Sequence, residues 1–383
     1  MNSLIASENN LAVAAVLFCI VFAGLMAERT ELGRKISAPL IALGGGMLLS
    51  NIRFLPFESP SYGFVVSFLV PIAIPLLLLN ANLKRIFRET GPTLIAFLAG
   101  AVGTVLGAIV GFHLIDLGPE THKIVSVLAA TFVGGSFNFV AVSQALSIDD
   151  ATLLASAATA QGVAAIFYLG FLIMAPEVPG LRRLYRSKRD IPAADAAIVA
   201  SAGGLEANTA AVPMDISASI AFSLVVCAVS FGTANLLGVP QLGILFITAI
   251  TVALASLAPK FMSRLAGGER IGLLFVYVFI AAVGAQSNIW QLAGTTMILV
   301  GFLGALLVVH VIVVFVVGRF FGLTLPEVIT GSNACALGAY TAAAIAAGKR
   351  WDSLVTPGIL SGILGYIIAN FIGMGLSSFL ATL

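Results

Sequence analysis

The chain has 383 residues, of which 60% are hydrophobic and 9% charged, with a formal net charge of +2. Long apolar stretches separated by short charged ones exclude a soluble domain and read as an all-α integral membrane protein that crosses the bilayer many times. The net charge itself says nothing useful about partners, because in a membrane protein the side on which the cations lie matters more than their sum; no nucleic-acid partner is expected.

In chain order, apolar segments fall at about 10–27, 36–52, 60–80, 91–115, 124–147 and 150–174. A second set falls at about 215–237, 240–258, 270–286, 292–317, 326–347 and 353–381. The first residues, MNSLIASENN, hold no Lys or Arg and no small-residue cleavage pattern, so the first segment is expected to be retained as a helix. Between the sets, 175–214 is rich in Ala, Pro, Gly and charge and has no run long enough to cross a bilayer. The expected organisation is a first membrane repeat over 1–174, a cytoplasmic linker over 175–214 and a second membrane repeat over 215–383.

One polar, glycine-rich phrase occurs in each set. Residues 134–139 read GGSFNF and residues 331–335 read GSNAC, each inside an apolar segment. Such clusters interrupt helices and free backbone groups, which lipid cannot satisfy, so they belong where protein or a watery cavity surrounds them. GPTLI at 91–95 and GTTMI at 294–298 match in spacing, and each follows an Asn-containing phrase, NANL at 80–83 and QSNI at 286–289.

Charge then sets the threading. If 124–147 and 326–347 dip in and return to the same side, 17 of the 19 Lys and Arg residues fall inside and only Arg53 and Lys123 outside, the distribution that cytoplasmic loops favour. This gives ten spans, five per set. An odd number per set makes the halves an inverted repeat, each half with a broken helix or re-entrant hairpin at its Gly-Ser-Asn motif.

GGSFNFVAVSQAL at 134–146, GSNACALGAYTAAAIAAGK at 331–349 and LVTPGILSGILGYIIANF at 354–371 resemble the YjcL-type membrane proteins, the domain-of-unknown-function family 819. The plan of five spans per half, with a glycine-rich loop between the fourth and fifth, is also similar to the sodium–glutamate symporters. More distantly, it is similar to the cation–proton antiporters and bile-acid symporters. These resemblances imply transport. The symporters carry a Gly-Gly-x-Gly signature; Gly134 and Gly135 fit its start, but Phe137 stands where its last Gly would be.

No acidic residue is expected in mid-membrane, so the chemistry falls to neutral polar groups and opened backbone, which can ligate sodium, while half-helix N-termini favour an anion. The candidate substrate- and ion-binding residues are Gly134, Gly135, Ser136, Asn138, Gly331, Ser332 and Asn333 at the breaks, with Asn82, Asn288 and Gln161 beside them. A sodium ion, as coupling ion, is expected on Ser136, Asn138, Ser332 and Asn333; no other cofactor is expected. His310, in mid-segment, is the residue that a proton-coupled mechanism would use. GGG at 44–46 and AGAVGTVLG at 99–107 read as helix-packing faces.

No Walker-type loop, zinc-ligand pair or Gly-x-Ser-x-Gly is present, so no enzyme activity is expected. The sequence therefore reads as a multi-pass secondary active transporter of a cell (inner) membrane, taking up a small anionic organic solute with sodium. The alternatives are a proton-coupled antiporter or exporter, and an ion channel. Besides the lipid bilayer and a small-molecule solute, a homodimer is the expected partner, dimers being common for such architectures.

Overall fold

The computed structural model describes residues 3–30, 38–148, 150–185, 213–265 and 267–383. The heart of the proposed linker, 186–212, lies outside the described residues, as does Asp149. No strand occurs among those described. The helices are α1 (Asn10–Ala27), α2 (Ala38–Asn51), α3 (Pro60–Leu77), α4 (Leu83–Glu89), α5 (Pro92–Phe112), α6 (Thr121–Gly134), α7 (Ser136–Ala145), α8 (Ala151–Met174) and α9 (Pro179–Leu184). After the linker come α10 (Pro213–Leu236), α11 (Gly243–Leu257), α12 (Pro259–Met262), α13 (Gly268–Ala285), α14 (Ile289–Phe320), α15 (Leu325–Ala336), α16 (Ala339–Gly348) and α17 (Val355–Leu380).

Among the described residues, eight segments are long and apolar enough to span a bilayer: α1, α3, α5, α8, α10, α13, α14 and α17. Helices α2 and α11, of 14 and 15 residues, are shorter. Local sequence signals start several of these helices. Asp150 Oδ1 accepts from Leu153 N at 2.9 Å to cap α8. At α15, Thr324 and Glu327 form a reciprocal capping box.

Chain reversals show which helix ends lie together. Leu4 N donates to Arg53 O, Asn51 Nδ2 to Ser287 O and Ser287 Oγ to Ala151 O. Residues 4, 51–53, 151 and 287 thus share one end. Leu83 N donates to Ser256 Oγ, and Gly268 packs on Leu79 and Ser219, so these residues share the other. Lys84, Arg85, Arg88, Lys260 and Arg270 flank those contacts, and we term this the basic end.

Helix α3 is irregular for a reason that the sequence supplies. It passes through a π-helical turn at Val65–Leu69 and carries Pro71 and Pro75, which lack the N–H that would close the preceding turns. Side chains satisfy the carbonyls thus freed. Gln144 Nε2 donates to Val66 O, and Cys227 Sγ donates to Pro71 O at 3.3 Å.

Small residues bring other helices together backbone to backbone. A Cβ at Gly46 would lie 2.2 Å from Ala281 O and one at Gly284 2.1 Å from Leu43 O, so α2 and α13 pack with no room for a methyl group. On α5, a Cβ at Gly107 would meet Leu306 O of α14 at 2.6 Å. The GGG run and the 99–107 stretch are therefore packing faces.

Between these helices, two pairs of short helices fold back on themselves. Lys123 Nζ at the start of α6 donates to Ser147 O just after α7 at 3.4 Å, which closes a hairpin with its base at the end opposite the basic one. The second hairpin, α15–α16, has its base at the basic end, where Lys349 Nζ lies 3.3 Å from Glu177 Oε1 just beyond α8. Helix α17 records both in order. A Cβ at Gly358 would meet Thr330 and Ala342, from the two arms of the second hairpin; one at Gly362 would meet Ala339 near its tip. One at Gly365 would meet Gly134 at the first hairpin's tip, and one at Gly373 would meet Ala130 and Val142 in its arms. The two hairpins thus enter from opposite ends and stack tip to tip along a single helix.

Candidate binding site where the hairpin tips meet

Each hairpin turns on one glycine, and the two have nearly the same backbone. Gly135 has φ 79° and ψ 177°; Gly338 has φ 93° and ψ −178°. Residues with a Cβ are excluded from that region except under strain. A Cβ at Gly135 would lie 3.6 Å from Gly338 Cα, so the turns touch. Each glycine hands over to a ten-residue return helix, so the N-termini of α7 and α16 lie beside one another in the interior.

Two cavities reach these tips from the basic end. One, of about 520 Å³, runs from Asn82, Arg85, Ser263 and Glu269 to Ala339, Tyr340 and Tyr366. The other, of about 330 Å³, runs from Glu28 and Pro39 to Gly135, Ser136, Gln161, Leu337 and Thr341. The N-terminus of α16 faces the first cavity and that of α7 the second.

The residues singled out from sequence separate into distinct positions. Ser136 and Gln161 come together, with Gln161 Nε2 donating to Ser136 Oγ at 2.7 Å on the wall of the second cavity. Asn138 is buried and its Nδ2 donates to Gly365 O of α17 at 3.2 Å. Gly134 packs where a Cβ would lie 2.4 Å from Gly365 O.

In the second half the break is displaced from the phrase that suggested it. Gly331, Ser332 and Asn333 are helical residues of α15, and the chain turns only at Gly338. A helix tolerates Gly and Ser where close packing or a partner favours them. Gly331 lies against α5, where a Cβ would meet Thr93 O at 2.6 Å. The four oxygens expected to share one ion therefore sit apart in role: Ser332 and Asn333 belong to an unbroken helix, and Ser136 to the tip of the other hairpin. Asn82 and Asn288 also part company. Asn82 Oδ1 caps α4 at the mouth of the first cavity, whereas Asn288 N donates to Thr152 Oγ1 at the opposite end.

Ser332 instead belongs to a buried chain across four helices. Its Oγ lies 2.5 Å from Tyr168 OH of α8 and 2.9 Å from His310 Nε2 of α14. His310 Nδ1 is 2.8 Å from Thr104 Oγ1 of α5, which donates to Phe132 O at 3.3 Å. One direction of donation serves every group. Tyr168 donates to Ser332, Ser332 to Nε2, Nδ1–H to Thr104 and Thr104 to the carbonyl, with a neutral ring and no proton left over. Gly100 makes room for it, because a Cβ there would lie 2.8 Å from His310 Cε1. Sequence reading singled out His310 but not Tyr168 or Thr104, since nothing in spacing links residues so far apart in the chain.

On the second hairpin, Thr341 Oγ1 lies 2.6 Å from Asn333 Oδ1 and 3.0 Å from Gly338 O, which ties the last turn of α15 to the first of α16. Thr341 and Gly338 were not singled out from sequence either, although a Gly followed by helix-forming alanines is a signal for such a turn. Among the described residues, no group of three or more His, Cys, Asp and Glu is placed to hold a metal ion.

The family model for DUF819, a protein family of unknown function, matches residues 15–383. The chain belongs to the DUF819 family. It is 31% identical over 97% of its length to an uncharacterized membrane protein, YjcL, of Bacillus subtilis (strain 168), 97% of which is covered. It is also 32% identical over 170 residues to sodium/hydrogen exchanger 2 of Arabidopsis thaliana; that match covers 40% of this chain and 29% of the plant protein. This DUF819 member is thus a membrane protein with helices able to span a bilayer.

Proposed function

We propose that this DUF819 protein is a secondary active transporter of a cell (inner) membrane that takes up a small anionic organic solute coupled to sodium. The observation that carries this reading is the pair of opposed hairpins whose glycine tips touch in the interior, each at the floor of a cavity. Interrupted backbone at membrane depth is tolerated where it lines a cavity, and paired half-helix N-termini offer an anion free N–H groups without a fixed cation. Two five-span halves in inverted orientation account for hairpins that enter from opposite ends, with α2 and α11 as the short spans of each half. The basic end is then cytoplasmic and the cavities face inward. The expected homodimer belongs to this reading.

The measurement that tests it is uptake into proteoliposomes with sodium and proton gradients imposed separately. Uptake that follows sodium, saturates with solute and varies little between about pH 6 and 8 is expected, because neutral oxygen ligands do not titrate there. Uptake that ignores both gradients and does not saturate would identify a channel. For sidedness, a cysteine at Asp116 should react with an impermeant reagent in intact cells and one at Arg350 should not, in a Cys19→Ser background; the reverse would invert the topology.

One alternative rests on its own observations: His310 is buried at the centre of the helix bundle, and the plant relative is named a sodium/hydrogen exchanger. On that reading the histidine carries a proton. Transport that follows the proton gradient alone and is lost in His310→Ala but retained in Ser136→Ala would favour it.

A further inference from the structure

We infer that the floor of the first cavity is the site for the solute's anionic group, held by the hydroxyl of Tyr366, and that the solute is a small monocarboxylate with an apolar body. This rests on the transport reading above and names its solute class and the residue that fixes it.

Tyr366, on α17, lies where the hairpin tips meet. A Cβ at Gly135 would lie 3.5 Å from its Cε1, and one at Gly338 3.4 Å from its Oη. Phe137, the residue in place of the last glycine of the symporter signature, packs edge-on against its ring, with centroids 5.0 Å apart. The ring is thus fixed against both turns. Tyr366 is only 6% exposed, and it lines the first cavity.

Its hydroxyl differs from those of the other buried tyrosines. Tyr62 donates to Pro56 O at 2.7 Å, Tyr168 to Ser332 Oγ and Tyr185 to Phe315 O. Tyr366 Oη accepts from Ala339 N, the first amide of α16, and among the described residues no acceptor takes its own proton. A buried tyrosine hydroxyl ordinarily finds one, so this proton is offered to whatever occupies the cavity.

The sign of that occupant follows from its neighbours. Ala339, Tyr340 and Thr341 precede the first hydrogen bond of α16, from Ala342 N to Gly338 O, so the helix brings only donors and its positive end to the same floor. A carboxylate brings two acceptor oxygens to such a place. The second cavity is less suited to an anion, because Gln161 already occupies Ser136 Oγ and the Glu28 carboxylate lies on its wall.

The rest of the first cavity limits the solute. Leu79, Met262, Leu360 and Ile363 give it apolar walls. Toward the basic end, Arg85 is bonded to Glu89 at 3.0 Å, and Glu269 lines the same cavity. A second negative group on the solute would meet that carboxylate with no cation left to offset it, which selects for a single charge.

The test is thermal unfolding of the full chain in detergent with sodium present, titrated with butyrate, succinate, leucine or chloride at constant ionic strength. Butyrate should stabilise wild type saturably, and the others should not. Tyr366→Phe, which keeps the ring and removes the proton, should weaken the butyrate half-saturation by about tenfold or more. Ile363→Trp, which fills the cavity from α17, should abolish the response. Tyr62→Phe, which gives up a buried hydrogen bond outside the cavity, should lower the unfolding temperature and keep the half-saturation. An unchanged half-saturation in Tyr366→Phe, an equal weakening in Tyr62→Phe or a response retained in Ile363→Trp would overturn the site, while sodium-driven butyrate uptake would leave the transport reading standing. Stabilisation by succinate or leucine in place of butyrate would overturn the solute class, leucine by bringing an ammonium to Glu269. A wild type indifferent to butyrate in both unfolding and uptake would also overturn that class, and sodium-driven uptake of another solute would still support transport.

Discussion

The two hairpins carry the same letters and use them differently. In the first, Gly-Gly-Ser is the turn: Gly135 has the left-handed φ, and Ser136 opens the return helix on a cavity wall. In the second, Gly-Ser-Asn lies inside α15, where Gly331 admits α5, Ser332 bonds His310 and Tyr168, and Asn333 leans on Thr341. The turn there is left to Gly338. A polar phrase in an apolar segment therefore marks that something must be buried or bonded, but not which residue breaks the helix. The breaks fall at Gly135 and Gly338, the glycines with positive φ.

The comparison breaks most visibly at the packing glycines. Gly134→Val and Gly331→Val should each cost about 3 kcal/mol or more and sharply reduce folded, monodisperse protein, because each new side chain would be driven into backbone oxygen of another helix. Recovery of normal yield for Gly331→Val would show that α15 does not seat on α5 as described.

A smaller effect separates the two serines. Ser332→Ala should cost about 2–3 kcal/mol, since it leaves Tyr168 OH and His310 Nε2 buried and unpaired. Its coupling to Thr104→Val through the ring, measured by a double-mutant cycle of unfolding free energies, should differ from zero by more than about 0.5 kcal/mol. Additivity would mean that the ring does not link them.

The turn glycines come next. Gly135→Ala and Gly338→Ala should each cost about 1–2 kcal/mol from backbone strain alone, because a Cβ at either meets only ordinary contacts at 3.4 Å or more. Two nearly equal values would support equivalent turns, and a wide disparity would separate them. The smallest stability effect should be that of Ser136→Ala, within about 0.5 kcal/mol, since the residue is exposed to a cavity and bonds only Gln161. Uptake should nevertheless fall, and full uptake would take Ser136 out of the site.

Much of the architecture was legible in the residues, because lipid and helix chemistry act locally. A run of about 20 apolar residues can only be a helix if it crosses a bilayer, and glycine clusters in such runs can only be packing faces or turns. The GGG run and the 99–107 stretch followed from this, as did a fold-back after Gly134. The bases of the hairpins could be expected from the placement of Arg53 and Lys123 against all other cations. Asn82 and Asn288 were less legible: a polar residue at a helix end serves equally as a cap, an interface bond or a site, and nothing local tells these apart.

What composition, hydropathy and charge determined by themselves is thus the class of protein, its helices and the turn after Gly134, but not the position of the second turn, which falls at Gly338. What only the tertiary structure decided is which distant groups share a space. Thr104, Tyr168, His310 and Ser332 are spread over more than 200 positions and meet because α5, α8, α14 and α15 pack around small residues. Gly135 and Gly338, about 200 positions apart, touch because two hairpins from opposite ends meet along α17. Hydrogen bonds reach about 3 Å, and no local pattern encodes a contact at that range between residues so far apart in the chain.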